Sequence, residues 1–174
     1  KKFFTYYPDS DSVRIIDHSD TYRTVNQMWK IDDKIIVGDN ADGLLELKNE
    51  ELIPLKGGDA FAYSFVGFLV KGKSEGDLFV GSYDGGLILY NYLTGKVDDS
   101  LIDPEINKQL RNNNIYSGVD IPTDRFAVST TAYGVYVFNK EGEFLEQINT
   151  DNSDLRDNQI YSIFLDSENN SPVL

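Results

Sequence analysis

Short apolar runs rich in β-branched and aromatic residues, such as 79–80, 87–90 and 135–138, are bounded by Gly, Asn and Asp. These runs read as strands. They are nearly continuous in hydrophobicity rather than alternating, which suits sheets covered on both faces. One helix-like patch stands out at 103–110, where Pro104 occupies a place that a first helical turn tolerates.

The strand pattern repeats. The octet Leu-Arg-Asn-Asn-Asn-Ile-Tyr-Ser at 110–117 recurs as Leu-Arg-Asp-Asn-Gln-Ile-Tyr-Ser at 155–162, with a weaker relative in Phe-Ala-Tyr-Ser at 61–64. A second unit, an apolar run followed by a polar corner and a glycine, occurs at 34–45, 77–88 and 125–136. Its glycines, Gly43, Gly86 and Gly134, close a strand-to-strand connection that calls for positive φ. One period then holds four short antiparallel strands. The first covers 24–31, 61–70, 115–120 and 160–166, and the second 34–38, 77–81 and 125–129. The third covers 43–48, 86–92 and 134–139, and the fourth is clearest at 144–149.

Four strands in a period of 40–50 residues is the arithmetic of a β-propeller blade. The expected fold is therefore all-β, a partial β-propeller of about 3.5–4 four-stranded antiparallel blades. Residues 1–17, a hairpin of 2–7 and 13–16 about a turn at 8–11, are expected to end a preceding blade. Three blades follow at 24–60, 61–114 and 115–159, and 160–174 starts another.

Composition narrows the chemistry. The 174 residues carry a net charge of −13, with a pI near 4.3, which disfavours phosphate backbones and anionic lipid. Neither nucleic-acid binding nor membrane insertion is expected of this segment; its longest apolar stretch, 65–70, is far short of the about 20 residues of a spanning helix. Without cysteine there are no disulfides, thiolate metal sites or cysteine nucleophiles. The lone histidine, His18, sits in a polar Asp-His-Ser-Asp turn and reads as solvated rather than catalytic. The acidic clusters at 39–43, 151–154 and 166–170 lack the pattern of a calcium loop and fall at strand connections, where Asp and Asn serve the turn. No catalytic residue, metal site or cofactor is expected.

The stretch 155–170, Leu-Arg-Asp-Asn-Gln-Ile-Tyr-Ser-Ile-Phe-Leu-Asp-Ser-Glu-Asn-Asn, and the corner Gly-Ser-Tyr-Asp-Gly-Gly-Leu at 81–87 resemble the two-component regulator propeller repeat. Such repeats build the sensor domains of bacterial hybrid two-component systems. The Trp usual at the start of the second strand is replaced by Ile35, Leu78 and Phe126, and Pro172 falls where an interior strand would continue. The resemblance implies a non-catalytic sensor module on the periplasmic or extracellular side of a membrane-anchored protein. It would read a nutrient such as an oligosaccharide and signal across the membrane, with any kinase outside this chain.

In a propeller the loops joining the second and third strands, and those joining consecutive blades, emerge around the central channel. Here they hold Asp39, Asn40, Tyr83, Asp84, Arg111, Thr131, Tyr133 and Arg156. One reading is a polar, aromatic-lined site for a carbohydrate. The other is that the arginines bridge to acids and the tyrosines pack between sheets, as Tyr116, Tyr161 and Trp29 are expected to do within the first strands. Two further functions stay open, a protein-interaction propeller and a polysaccharide-acting enzyme. Open propeller edges also suggest a homodimer that combines two partial rings.

Overall fold

The computed structural model describes residues 2–17, 24–166 and 171–173. The chain divides into two compact units, residues 1–63 and 64–174. His18 and residues 167–170 of the last acidic cluster lie outside the described residues.

The first unit opens with an antiparallel hairpin of β1 (Lys2–Tyr7) and β2 (Ser12–Asp17). A single 3-10 turn, Pro8–Ser10, joins them and ends at Asp11 in the left-handed region. A four-stranded antiparallel meander follows, β3 (Val25–Ile31), β4 (Lys34–Asp39), β5 (Gly43–Lys48) and β6 (Glu51–Pro54). Its central strands bury both faces, with Val37 and Leu45 clustered with Leu52 of β6 on one and Ile36 and Leu44 on the other. Trp29 is half-buried rather than a core residue, and its ring lies over Gly38, where a Cβ would come within 3.2 Å of it.

The segment from Phe61 was expected to begin a strand and does not. Gly58–Phe61 is a 3-10 turn, and Tyr63 adopts a φ of 61°, which breaks the extended chain. The next strand starts only at Val66.

The second unit contains two complete blades. One is β7 (Val66–Lys71), β8 (Asp77–Ser82), β9 (Gly86–Asn91) and β10 (Lys96–Asp98). The other is β11 (Ile115–Ile121), β12 (Arg125–Thr130), β13 (Val135–Asn139) and β14 (Phe144–Ile148). Helix α1 (Pro104–Asn112) lies between them in sequence, where the helix-like patch was expected. The Asp103 carboxylate accepts from the Glu105 and Ile106 amides, and Pro104 starts the first turn without needing a donor. A last pair, β15 (Phe164–Asp166) and β16 (Ser171–Val173), is two-stranded, with Pro172 opposite Leu165. The strand expected over 160–166 is thus reduced to its last three residues.

The core of this unit fills the space between its two blades. Phe126 sits at the centre, with ring centroids 4.8 Å from Phe79, 5.4 Å from Phe138 and 5.8 Å from Phe68. Phe126 lies near the start of β12, and a phenylalanine cluster forms around it. The inner strands of the two blades meet at glycines. A Cβ on Gly67 would stand 2.7 Å from the Tyr116 carbonyl oxygen, and one on Gly118 would stand 2.3 Å from the Phe68 ring. Lys140 adds a polar tie, its buried ammonium donating to the Lys71 carbonyl (2.8 Å) and pairing with Asp120 (2.7 Å). A second cluster, with Val135, Val137, Ile160 and Ile163, covers the other face of β11–β14. The chain is nearly all β, and its four-stranded sheets are blades of a partial β-propeller.

Candidate functional site

Each blade turns from its second to its third strand through the same device. The last residue of the second strand is a buried Asp39, Ser82 or Thr130, and its side-chain oxygen accepts from the backbone amide three residues on. Those amides belong to Asp42, Gly85 and Tyr133. Gly43, Gly86 and Gly134 follow with φ of 80°, 76° and 79°, the left-handed geometry that the corner needs. Asp, Ser and Thr are interchangeable here because each carries a short side-chain acceptor.

The corner is then tied back to the chain entering the same blade. Asn40, Tyr83 and Thr131 donate their amides to the carbonyls of Thr24 (2.8 Å), Phe65 (2.9 Å) and Asn113 (2.9 Å). Just inside, the innermost strand bulges in every blade, between Val25 and Gln27, Val66 and Phe68, and Ile115 and Ser117. The residues without a rung are Asn26, Gly67 and Tyr116. A bulge releases its residue from the ladder and re-aims its side chain.

These features place the sequence-derived residues. The Asp39 carboxylate is occupied by its own turn, accepting from Ala41 (2.7 Å), Asp42 (3.1 Å) and Thr24 (3.3 Å). Asn40 accepts from the Asn26 amide through its side chain. Asp84 is exposed and accepts from the Ser64 hydroxyl (2.9 Å). The Thr131 hydroxyl, like its amide, donates to the Asn113 carbonyl (3.0 Å). Tyr133 is half-exposed, and its carbonyl accepts from the Gln147 amide.

The two arginines occupy different settings despite their matching place in the repeat. Arg111 is in the last turn of α1, where its Nε donates to the Gly85 carbonyl (3.1 Å) and its guanidinium faces Asp99 (3.5 Å). Arg156 is exposed on an irregular stretch after β14. Among the described residues no group of acidic or histidine side chains gathers where a metal ion could sit.

An aromatic row forms beside the β8–β9 corner. The ring of Phe65 is edge-on to Tyr83 at 6.4 Å and lies 6.1 Å from Tyr116, which is in turn edge-on to Tyr161 at 5.1 Å. Tyr83, Tyr116 and Tyr161 are 39%, 38% and 53% exposed. Phe65, Tyr83 and Tyr116 line a shallow recess of about 310 Å³. Only Tyr83 of this row was among the eight sequence-derived candidates. Tyr116 and Tyr161 were expected to pack inside an inner strand, but Tyr116 is the bulge residue and Tyr161 precedes β15. Phe65 carried no repeat signal, because the 61–64 segment matched by sequence is displaced from the strand it was matched to. Register supplies the true correspondence, since Val66 and Ile115 each face the last residue of the adjacent strand.

No protein-family pattern matches the sequence, and no curated protein matches it either. Solved structures do match in fold. The extracellular domain of what is described as a hybrid two-component system, BT4673 of B. thetaiotaomicron, superposes with a TM-score of 0.66 at 23% identity, over 96% of this chain and 23% of that one. The extracellular domain of a second such system from the same organism, BT3049, gives 0.60 at 21% identity, over 85% of this chain and 19% of that one. The computationally designed protein Ika8 gives 0.57 at 14% identity, over 88% of this chain and 44% of that one. The chain thus spans about a fifth to a quarter of the length of the two bacterial domains. A likeness shared with a designed protein speaks for blade architecture, not for a task. No described helix is long and apolar enough to cross a membrane.

Proposed function

We propose that this chain is a non-catalytic ligand-sensing segment of an extracellular sensor domain of the two-component kind, recognising an uncharged oligosaccharide. The observation that carries the reading is the row Tyr83, Phe65, Tyr116 and Tyr161, whose three tyrosines stay partly exposed beside a recess. Exposed tyrosines offer an apolar face for a sugar ring and a hydroxyl for its rim, at low conformational cost. The structural likeness to extracellular domains of such sensors supports the setting. The strongly negative surface disfavours polyanionic ligands.

Isothermal titration of the 174-residue chain with maltohexaose, cellohexaose, xylohexaose and laminarihexaose tests the proposal. Binding of at least one, weakened about tenfold or more in Tyr83→Ala, is the expected result. No binding across this panel and across a broader set of neutral glycans overturns it.

A further inference from the structure

We propose that the bulge residue of the innermost strand is the specificity-determining position of each blade, and that Tyr116 fills this role at the aromatic recess. The inference rests on the oligosaccharide reading above and goes further by assigning the position that selects among sugars.

Three observations carry it. First, the bulge falls at the same register in all three complete blades, one residue after the residue that faces the end of the second strand. The backbone of that residue has no register partner, which lets a side chain there be re-aimed. Second, the bulge residues differ in kind while the turn of the corner beside them does not. Asn26 reaches the corner through a hydrogen bond to Asn40, Gly67 presents no side chain, and Tyr116 presents an aromatic ring to the recess. The corner hydrogen bonds beside them recur in each blade. Third, Gly67 makes the recess available. A Cβ there would collide with the Tyr116 carbonyl oxygen, so glycine at one bulge lets the neighbouring inner strand seat the other. The result is a recess of about 310 Å³ lined by aromatic rings, with no charged side chain among its described lining residues. It is large enough for a sugar ring or two but small against a protein interface. The occupant this chemistry fits is a neutral sugar ring stacked on Tyr116 and Phe65, its hydroxyls turned toward Tyr83 and the Ser64–Asp84 pair.

The test compares Tyr116→Phe, Tyr116→Asn and Tyr116→Ala with the native chain, using the same four hexasaccharides. Leu145→Ala, on the exposed face of β14, serves as the control. Tyr116 is partly exposed and outside the ladder, so the variants are expected to keep the native melting transition and circular dichroism. Tyr116→Phe should retain the affinity within threefold, and Tyr116→Ala should lose about tenfold or more. Tyr116→Asn, carrying the bulge residue of the first blade, should change the order of preference among the four sugars. Leu145→Ala should change nothing. If the native chain binds and Tyr83→Ala weakens binding, but all Tyr116 variants bind with native affinity and order, the specificity assignment fails while the sensing reading survives. A uniform loss in Tyr116→Ala and Tyr116→Asn, with the order unchanged, also overturns it, since Tyr116 would then contribute affinity alone. If the native chain binds no neutral sugar, both readings fall together.

Discussion

The two blades of the second unit solve one problem in different ways. In both, the third strand has an outer edge whose backbone groups need partners. In the β11–β14 blade a fourth strand supplies them, with Ile148 opposite Val135 at the corner end. In the β7–β10 blade the fourth strand pairs only Lys96–Asp98 with residues 89–91, which leaves Leu87 unpaired on that side. Helix α1 fills the gap. Its buried Asn107 receives a hydrogen bond from the Leu87 amide (2.9 Å) and donates one to the Leu87 carbonyl (3.0 Å). A side-chain amide has the donor and acceptor of a peptide group, so one asparagine stands in for one rung. The helix thereby gains a fixed seat, and Arg111 one turn later reaches Gly85 of the corner that carries Tyr83. The lesson is that a side chain from the following helix can supply a rung that a short outer strand leaves open.

The largest expected effect comes from removing what the two blades share. Phe126→Ala should destabilise the chain by about 3–5 kcal/mol in urea unfolding, because the cavity opens between Phe68, Phe79 and Phe138. A loss below about 1 kcal/mol would show that the blades do not depend on this common core.

Asn107→Ala should cost about 2–3 kcal/mol, since it leaves a buried amide and carbonyl of Leu87 without partners. Hydrogen exchange should accelerate at the Leu87 amide and leave the β13–β14 rungs protected. Equal acceleration in both blades would break the comparison.

Ser82→Ala and Thr130→Val test the equivalence of the corners. Each removes the acceptor for a turn amide, and Thr130→Val also removes the hydroxyl's own bond to the Gly134 carbonyl (3.0 Å), so the expected costs are about 1 and about 2 kcal/mol. A threefold disparity in the two losses would mean that the corners are alike in geometry only.

The last test concerns pH. Burial, followed by the proximity of Tyr133, pushes the Tyr136 phenol up from 10.0 to about 12. Its hydroxyl donates to Gln109 of α1 (3.0 Å). A folded-state value above the unfolded one favours the protonated form in the fold. The contribution is therefore complete below pH 10 and is lost as pH rises through about 12. Tyr136→Phe should cost about 1 kcal/mol at pH 7 and flatten the loss of stability between pH 10 and 12. An unchanged alkaline slope in denaturant titrations would refute this.

How far the sequence reaches can be judged from these same elements. The second and third strands were legible, because apolar runs and corner glycines mark them at 34–39, 43–48, 77–82 and 86–91. The helix was legible through Asp103 and Pro104, which are local signals. The fourth strand was faint, because its pairing is short and a side chain can replace it. The aromatic row was largely hidden. Tyr116 and Tyr161 match in sequence and look like core strand residues, and only the bulge turns the first toward solvent. A bulge is a fact about register between strands, and no spacing within one strand announces it. Asp39 shows the converse, a candidate ligand group in sequence whose carboxylate belongs to its own turn.

The corners also bear on how the chain folds. Each closes over three residues with its own side chain, so the loop entropy opposing it is small and a β8–β9 or β12–β13 hairpin can form without help from a neighbour. The tie from Lys140 to Lys71 spans 69 residues and closes a far larger loop than either hairpin. Folding of this unit should therefore be hierarchical, with corners early and the join between blades last. Substitutions at Ser82 or Thr130 would then slow folding, and substitutions at Lys140 would chiefly hasten unfolding.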